Sequence, residues 1–106
     1  MELQNNELLQ VQIKLNSKIL VSEKLESTPV EGYFESNSLE FLNVVVFQGE
    51  VFVTTKVVKR DRAFSCLTQV DNNVYSHIVN VYIKRGRKGK PNTYRILPLI
   101  SHKENY

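Results

Sequence analysis

Cysteine is almost missing from this chain: Cys66 is the only one among 106 residues. One thiol cannot form a disulfide within the chain, so a hydrophobic core must hold the fold together. One cysteine and two histidines, His77 and His102, are also too few and too scattered along the sequence for a dedicated zinc site. We therefore predict no metal, no cofactor and a reducing, intracellular setting.

Long apolar runs are missing too. The longest uninterrupted one covers residues 44–47, far short of the ~20 residues that a membrane-spanning helix needs. Residues 1–7 are acidic and polar, unlike a secretory signal. We expect a soluble cytoplasmic protein, or a nuclear one if the source is eukaryotic, and no membrane partner.

Catalytic motifs are lacking as well. The carboxylates show no paired spacing, and no glycine-rich phosphate loop follows a predicted strand and opens a helix. Cys66 and His77 could meet on neighbouring strands as nucleophile and base, but no Asn or Asp is placed to orient the histidine. A buried, structural Cys66 is the simpler interpretation. We therefore do not expect an enzyme.

What the chain has is strand-like patterning. Residues 9–15 alternate apolar and polar side chains, which is typical of a half-buried strand. Residues 39–47 are almost all apolar and predict a central strand covered on both faces. A turn at Gln48 and Gly49 then leads into one strand over residues 50–59.

Turn signals separate the later strands. Asp61 and the run Asp71-Asn72-Asn73 favour turns, because short polar side chains tolerate left-handed backbone. Residues 74–84 and 92–100 then form a last hairpin. The sequence thus predicts an all-β, mainly antiparallel fold, a small barrel or sandwich, and the number of short strands favours a barrel that resembles the OB kind.

The length is that of one domain. We place this small β domain at residues 1–100 and a flexible C-terminal tail at residues 101–106. At most one short helix is expected, over residues 2–10, where the apolar spacing is poor.

Charge is divided unevenly between the two halves of the chain. Residues 1–50 hold three lysines against eight glutamates, a net of −5, whereas residues 51–106 hold eleven Lys/Arg against three acids, a net of +8. Five of these cations fall within the seven residues 84–90. Such a density attracts a polyanion, most commonly nucleic acid.

A second basic cluster occupies residues 56–62. In an antiparallel meander the ends of strands 50–59 and 74–84 fall at the same edge of the sheet, so the two clusters would form one patch. Tyr82 would share a face with Lys84 and Arg95, as in sites where bases stack on rings. The predicted nucleic-acid surface consists of Lys56, Lys59, Arg60, Arg62, Tyr82, Lys84, Arg85, Arg87, Lys88, Lys90, Tyr94 and Arg95.

The predicted function is a non-enzymatic module that binds single-stranded DNA or RNA through the basic hairpin and the tyrosine-bearing sheet face. The alternative is a protein-interaction module: an accessory or inhibitor protein of a phage or mobile element, or a subunit of a complex. It would use the acidic half or an apolar strand edge, and could form a homo-oligomer.

Simpler interpretations stay open beside these. The basic loop could be only a solvated turn, the opposed charges could neutralise each other across the fold, and Tyr82 and Tyr94 could pack in the core. Arg85-Gly86-Arg87 resembles the core of a minor-groove AT-hook, but Lys88 follows where those motifs have proline. The basic run also resembles a nuclear import signal.

Overall fold

The computed structural model describes residues 8–99 of the chain. Within this range nine strands occur and no helix. Of the predicted helix, Leu9 and Gln10 belong to the first strand, and residues 2–7 lie outside the described residues, as does the predicted tail 101–106. The strands are β1 (Leu9–Leu15), β2 (Lys18–Leu25), β3 (Val30–Phe34), β4 (Leu42–Gln48), β5 (Val51–Phe52), β6 (Lys56–Arg60), β7 (Ala63–Asp71), β8 (Val74–Lys84) and β9 (Asn92–Pro98).

The strands form two antiparallel sheets. The first sheet has the order β2-β1-β4-β5 and the second has the order β3-β9-β8-β7-β6. This confirms the all-β, antiparallel prediction and is consistent with a small barrel or sandwich, whereas an OB fold specifically is not confirmed. No helix long and apolar enough to cross a bilayer is found among residues 8–99.

One hydrophobic core receives side chains from both sheets. In β1 the predicted alternation holds: Val11 and Ile13 are fully buried while Gln10 and Gln12 face outward. In β8, Val79 and Val81 are fully buried in the same way. The largest fully buried side chains are Ile13, Leu25, Ile96, Val11, Val44, Val46, Val79, Val81 and Cys66.

The predicted single strand over residues 50–59 is wrong, because the chain changes sheets in the middle of it. Residues 51–52 pair with β4 in the first sheet, and residues 56–60 pair with β7 in the second. Thr54, buried at the crossing, accepts a hydrogen bond from the Val46 N–H through its hydroxyl (2.6 Å). The Thr55 N–H then donates to the Leu67 carbonyl (2.9 Å) and begins the pairing with the second sheet.

The apolar run 39–47 is fully buried on one face only, whereas the prediction had both faces covered. Val44 and Val46 point into the core, whereas Val45 and Phe47 are half-buried on the outside of the first sheet. The turn after β4 lies one residue later than predicted, since Gln48 pairs with Val51. The predicted turns at Asp61 and at residues 71–73 are present, with left-handed backbone at Asp61 and Asn73.

Tyr94 crosses the core from the second sheet to the first. Its hydroxyl donates a hydrogen bond to Oε2 of Glu23 on β2 (2.5 Å). Burial, reinforced by this carboxylate, raises the pKa of the Tyr94 phenol well above its ordinary value. The ring lies against Gly32 of the paired strand β3, where a Cβ atom would come within 2.6 Å of the Tyr94 Cζ.

We therefore expect Gly32→Ala to lower the free energy of unfolding by about 1–3 kcal/mol, the usual cost of overpacking a filled core. Urea denaturation followed by circular dichroism measures it. Lys24→Ala, on the exposed outer side of β2, is the control and should change stability by less than about 0.5 kcal/mol. Equal stability of Gly32→Ala and the unmodified chain would contradict this account of the packing.

Candidate nucleic-acid interface

The outer face of the second sheet carries Tyr82, Lys84 and Arg95. Because Val79, Val81 and Ile83 of β8 point into the core, the residues that alternate with them must point away from it. Tyr82 is 42% exposed and Lys84 is exposed. The sequence prediction of this shared face is met for these side chains.

Strand register brings charged side chains to both sides of Tyr82. On β9, Arg95 is the direct cross-strand partner of Tyr82, so their Cα atoms are about 5 Å apart. On the other side, Tyr82 pairs with Ala63, which in turn pairs with Arg60 of β6. Along this row, Arg95 lies next to Tyr82 on one side. On the other side the small Ala63 lies next to Tyr82, and Arg60 lies beyond it.

Tyr33, which sequence analysis did not single out, lies on the same face. It is 73% exposed, pairs with Thr93 of β9, and Thr93 pairs with Lys84. Tyr33 and Tyr82 line one shallow depression of about 530 Å³. Neighbouring residues of a strand face opposite sides, a signal in the sequence that places one of Tyr33 and Phe34 outward. It does not show that β3 pairs with β9.

Tyr94 was predicted to belong to this surface and does not. It is only 6% exposed, and its ring packs in the core against Phe34 with the ring centroids 6.3 Å apart. The reason is strand alternation, since the neighbour Arg95 points outward and Tyr94 must then point inward. Core packing, the alternative considered for both tyrosines, is therefore correct for Tyr94.

The two basic clusters meet at one end of the second sheet. The Ile83 N–H donates to the Arg62 carbonyl (2.9 Å), which fixes the β6–β7 turn beside the end of β8. Lys59, Arg62 and Arg85 line a cavity of about 190 Å³ there. Residues far apart in the sequence thus form one cationic region.

Lys56 and Lys59 are less available than predicted. Lys56 begins β6, about 13 Å from Arg60 along the strand, and its Nζ lies 5.1 Å from the centroid of the Tyr75 ring. It therefore lies outside the cationic region. Lys59 donates from Nζ to the Glu40 carbonyl (3.2 Å) and lies over the Phe64 ring, so it is partly engaged within the fold.

The basic loop between β8 and β9 has a defined backbone. The Gly86 N–H donates to Oδ1 of Asn92 (3.1 Å), and the Lys90 N–H donates to the Arg87 carbonyl (2.7 Å). Gly89 has left-handed backbone with φ of 70°. The buried Asn92 thus holds the loop in place while its cations remain exposed: Arg85, Arg87, Lys88 and Lys90.

Carboxylates from the acidic half border this region. Glu31 forms an ion pair with Arg95, with 3.1 Å between Oε2 and Nε. Glu40 lines the same cavity as Lys59, and Glu35 lines another cavity with Lys90. With Asp61 included, four carboxylates accompany nine cations: Lys59, Arg60, Arg62, Lys84, Arg85, Arg87, Lys88, Lys90 and Arg95. Neutralisation is partial, and these glutamates do not form an acidic face of their own.

Cys66 is not placed for chemistry with His77. Cys66 is fully buried and its cross-strand partner on β8 is Val79, whereas the exposed His77 is the cross-strand partner of Leu67. Burial raises the pKa of the Cys66 thiol from 9.0 to about 12. Among residues 8–99 no group of three or more His, Cys, Asp or Glu side chains could hold a metal ion.

Because the Cys66 thiol is buried, the free energy of unfolding should depend on pH. Its pKa is higher in the folded chain, so folding retains a proton that the unfolded chain releases above about pH 9. We expect the free energy of unfolding to fall between about pH 9 and 12, by at most ~1.4 kcal/mol per pH unit for this one group. Urea denaturation of the unmodified chain and of Cys66→Ala at several pH values measures the difference, and Cys66→Ala should show the shallower fall.

Rapid reaction of the folded chain at pH 8 with a disulfide reagent for thiols would contradict the buried, protonated state. The same reagent in denaturant provides the reference rate.

The chain matches no protein-family model, no curated protein and no solved structure.

Proposed function

We propose that this protein binds single-stranded nucleic acid, DNA or RNA, across the outer face of its second sheet and the adjoining cationic region. The observation that carries the proposal is the position of Tyr82. Its exposed ring lies beside Arg95 on the neighbouring strand and Lys84 on its own strand. A ring flanked by cations is suited to stack a base while the cations hold the phosphates on either side of it.

A second ring extends the stacking surface. Tyr33 lies two strands from Tyr82 and one row nearer the basic loop, which puts their Cα atoms about 12 Å apart. The depression that both rings line is open to solvent and lies between them. Two bases of one strand, not immediate neighbours, could each stack on a ring at ~1–3 kcal/mol per base.

The shape of the face favours single strands over duplex. In a duplex the faces of the bases are covered by their neighbours, and the major groove admits a helix or a two-stranded ribbon. The rings here lie on the broad face of a five-stranded sheet, where only an unstacked base can reach them. The cations alone would attract either form of nucleic acid.

The cations make a testable contribution to affinity and salt dependence. We expect the triple variant Arg85→Glu, Arg87→Glu and Lys88→Glu to bind a single-stranded oligonucleotide about 100-fold more weakly at low salt. The slope of log affinity against log salt should flatten by at least ~2, since each lost phosphate contact removes ~0.7 on a single strand. Fluorescence anisotropy with a labelled oligonucleotide at two or more salt concentrations measures both.

The matched control reverses three lysines on the first sheet, Lys14→Glu, Lys18→Glu and Lys24→Glu, with the same change in net charge. It should weaken binding far less than the loop variant. Equal losses in the two variants would reduce the interaction to overall charge. The proposal fails if the unmodified chain binds neither DNA nor RNA at low salt.

The rings are expected to act independently of salt. Tyr82→Ala and Tyr33→Ala should each weaken binding about 5- to 100-fold, the equivalent of losing one stacked base, and leave the salt slope unchanged. Tyr82→Phe should retain most of the affinity because the ring remains. Phe52→Ala, which removes an exposed ring from the first sheet, is the control and should have no effect in the same anisotropy titration.

The unmodified chain should bind a duplex of the same sequence more weakly than the single strand. Tyr82→Ala should bind the two forms about equally. Equal affinity of the unmodified chain for both forms would contradict stacking on the sheet face.

A further inference from the structure

A carboxylate lies within the face that the nucleic acid is proposed to cover. Glu31 lines the depression of about 530 Å³ together with Tyr33 and Tyr82. Its strand β3 pairs with β9 at the edge of the second sheet. A negative charge at this place repels phosphate, so a face that served only to attract a polyanion would bind more tightly without it. The presence of Glu31 therefore needs a second explanation.

Stability of the fold does not supply that explanation. The ion pair joins an Arg95 side chain that is 52% exposed to a Glu31 side chain that is 68% exposed. Exposed pairs of this kind contribute little to stability and are screened by salt. A carboxylate has two oxygens with about four lone pairs between them. The contact of Oε2 with the Arg95 Nε thus leaves Glu31 able to accept further hydrogen bonds.

Strand register places Glu31 close to both exposed rings. It lies two residues before Tyr33 on β3, and its cross-strand partner Arg95 is in turn the partner of Tyr82. The Glu31 Cα is therefore about 7 Å from that of Tyr33 and about 10 Å from that of Tyr82. The carboxylate reaches toward Arg95, which lies between Glu31 and Tyr82 in this row. A base stacked on Tyr82 within the depression has its edge near the carboxylate.

The side chains that line the depression differ in the hydrogen bonds they can form. Lys84 and Arg95 can only donate, whereas the Thr93 hydroxyl can donate or accept. Among the described side chains of this lining, Glu31 is the only one that accepts and cannot donate when ionised. The two cations are suited to phosphate and the carboxylate is not. What the carboxylate can bind is an N–H group of a base.

We propose that Glu31 selects the base that stacks in the depression by accepting a hydrogen bond from its exocyclic amino group. Cytosine and adenine carry such a group, whereas uracil and thymine carry an acceptor oxygen in the position of the cytosine amino group. That oxygen would face the carboxylate and leave two acceptors without a donor. The face therefore prefers cytosine to uracil or thymine. This inference rests on the proposed function and adds to it the kind of base that is bound.

Two single strands that differ only in the edge of their bases test the selection. Oligodeoxycytidylate and oligodeoxyuridylate of equal length present pyrimidines of the same size on the same number of phosphates. In fluorescence anisotropy at pH 8 and low salt, the unmodified chain should bind the cytosine strand about tenfold more tightly. This is the effect of one hydrogen bond to a charged group.

Glu31→Gln separates base selection from repulsion of phosphate. The carboxamide both donates and accepts, so it can pair with either base. Binding of the uracil strand should become tighter, and the ratio of the two affinities should fall below about threefold.

The matched control is Glu35→Gln, which removes an exposed carboxylate near the basic loop but outside the depression. It should raise both affinities by the same factor and keep their ratio near ten. Both side chains are exposed, so both variants should fold as the unmodified chain does.

Equal affinity of the unmodified chain for the two strands would overturn the selection and leave the proposed function standing. So would a Glu31→Gln variant that binds both strands more tightly by the same factor, because the carboxylate would then only repel phosphate. Failure of the unmodified chain to bind either strand at low salt would overturn the proposed function, and the selection with it.

Discussion

Burial of alternate side chains in one core between two sheets is the constraint on which the rest of this structure depends. Each strand of a sheet has two faces, and the apolar residues decide which of them is buried. In β8, Val79, Val81 and Ile83 decide in this way which face of the strand is buried. The outward positions, including that of Tyr82, then follow from strand alternation alone.

The same constraint explains why neighbouring residues have different roles. Tyr94 and Arg95 are adjacent in β9, yet one fills the core and the other lies on the proposed binding face. Gly32 makes the inward position of Tyr94 possible because it leaves room for the ring, and Glu23 on the other sheet accepts the hydrogen bond of the hydroxyl. The ring therefore links the two layers.

Strand order, more than position in the sequence, decides where the charged side chains lie on the surface. The acidic first half supplies β3 to the basic second sheet, so Glu31 lies next to Arg95. The segment after β3 brings Glu40 to Lys59. These carboxylates reduce the positive charge of the cationic region and leave cations in excess around the β8–β9 loop. From Val74 to Ile83, β8 carries no Asp, Glu, Lys or Arg, so its positive charge lies only at the end that enters the basic loop.

The sequence by itself determined the strand character of the chain, the turns at Asp61 and residues 71–73, and the outward face of Tyr82, Lys84 and Arg95. These follow from local periodicity and turn chemistry, which need no knowledge of distant partners. Only the tertiary structure decided that the chain changes sheets at Thr54, that β3 brings Tyr33 and Glu31 beside β9, and that Lys56 lies apart from the other cations. Each of these depends on pairing between residues far apart in the sequence, and periodicity carries no information about which strands become neighbours.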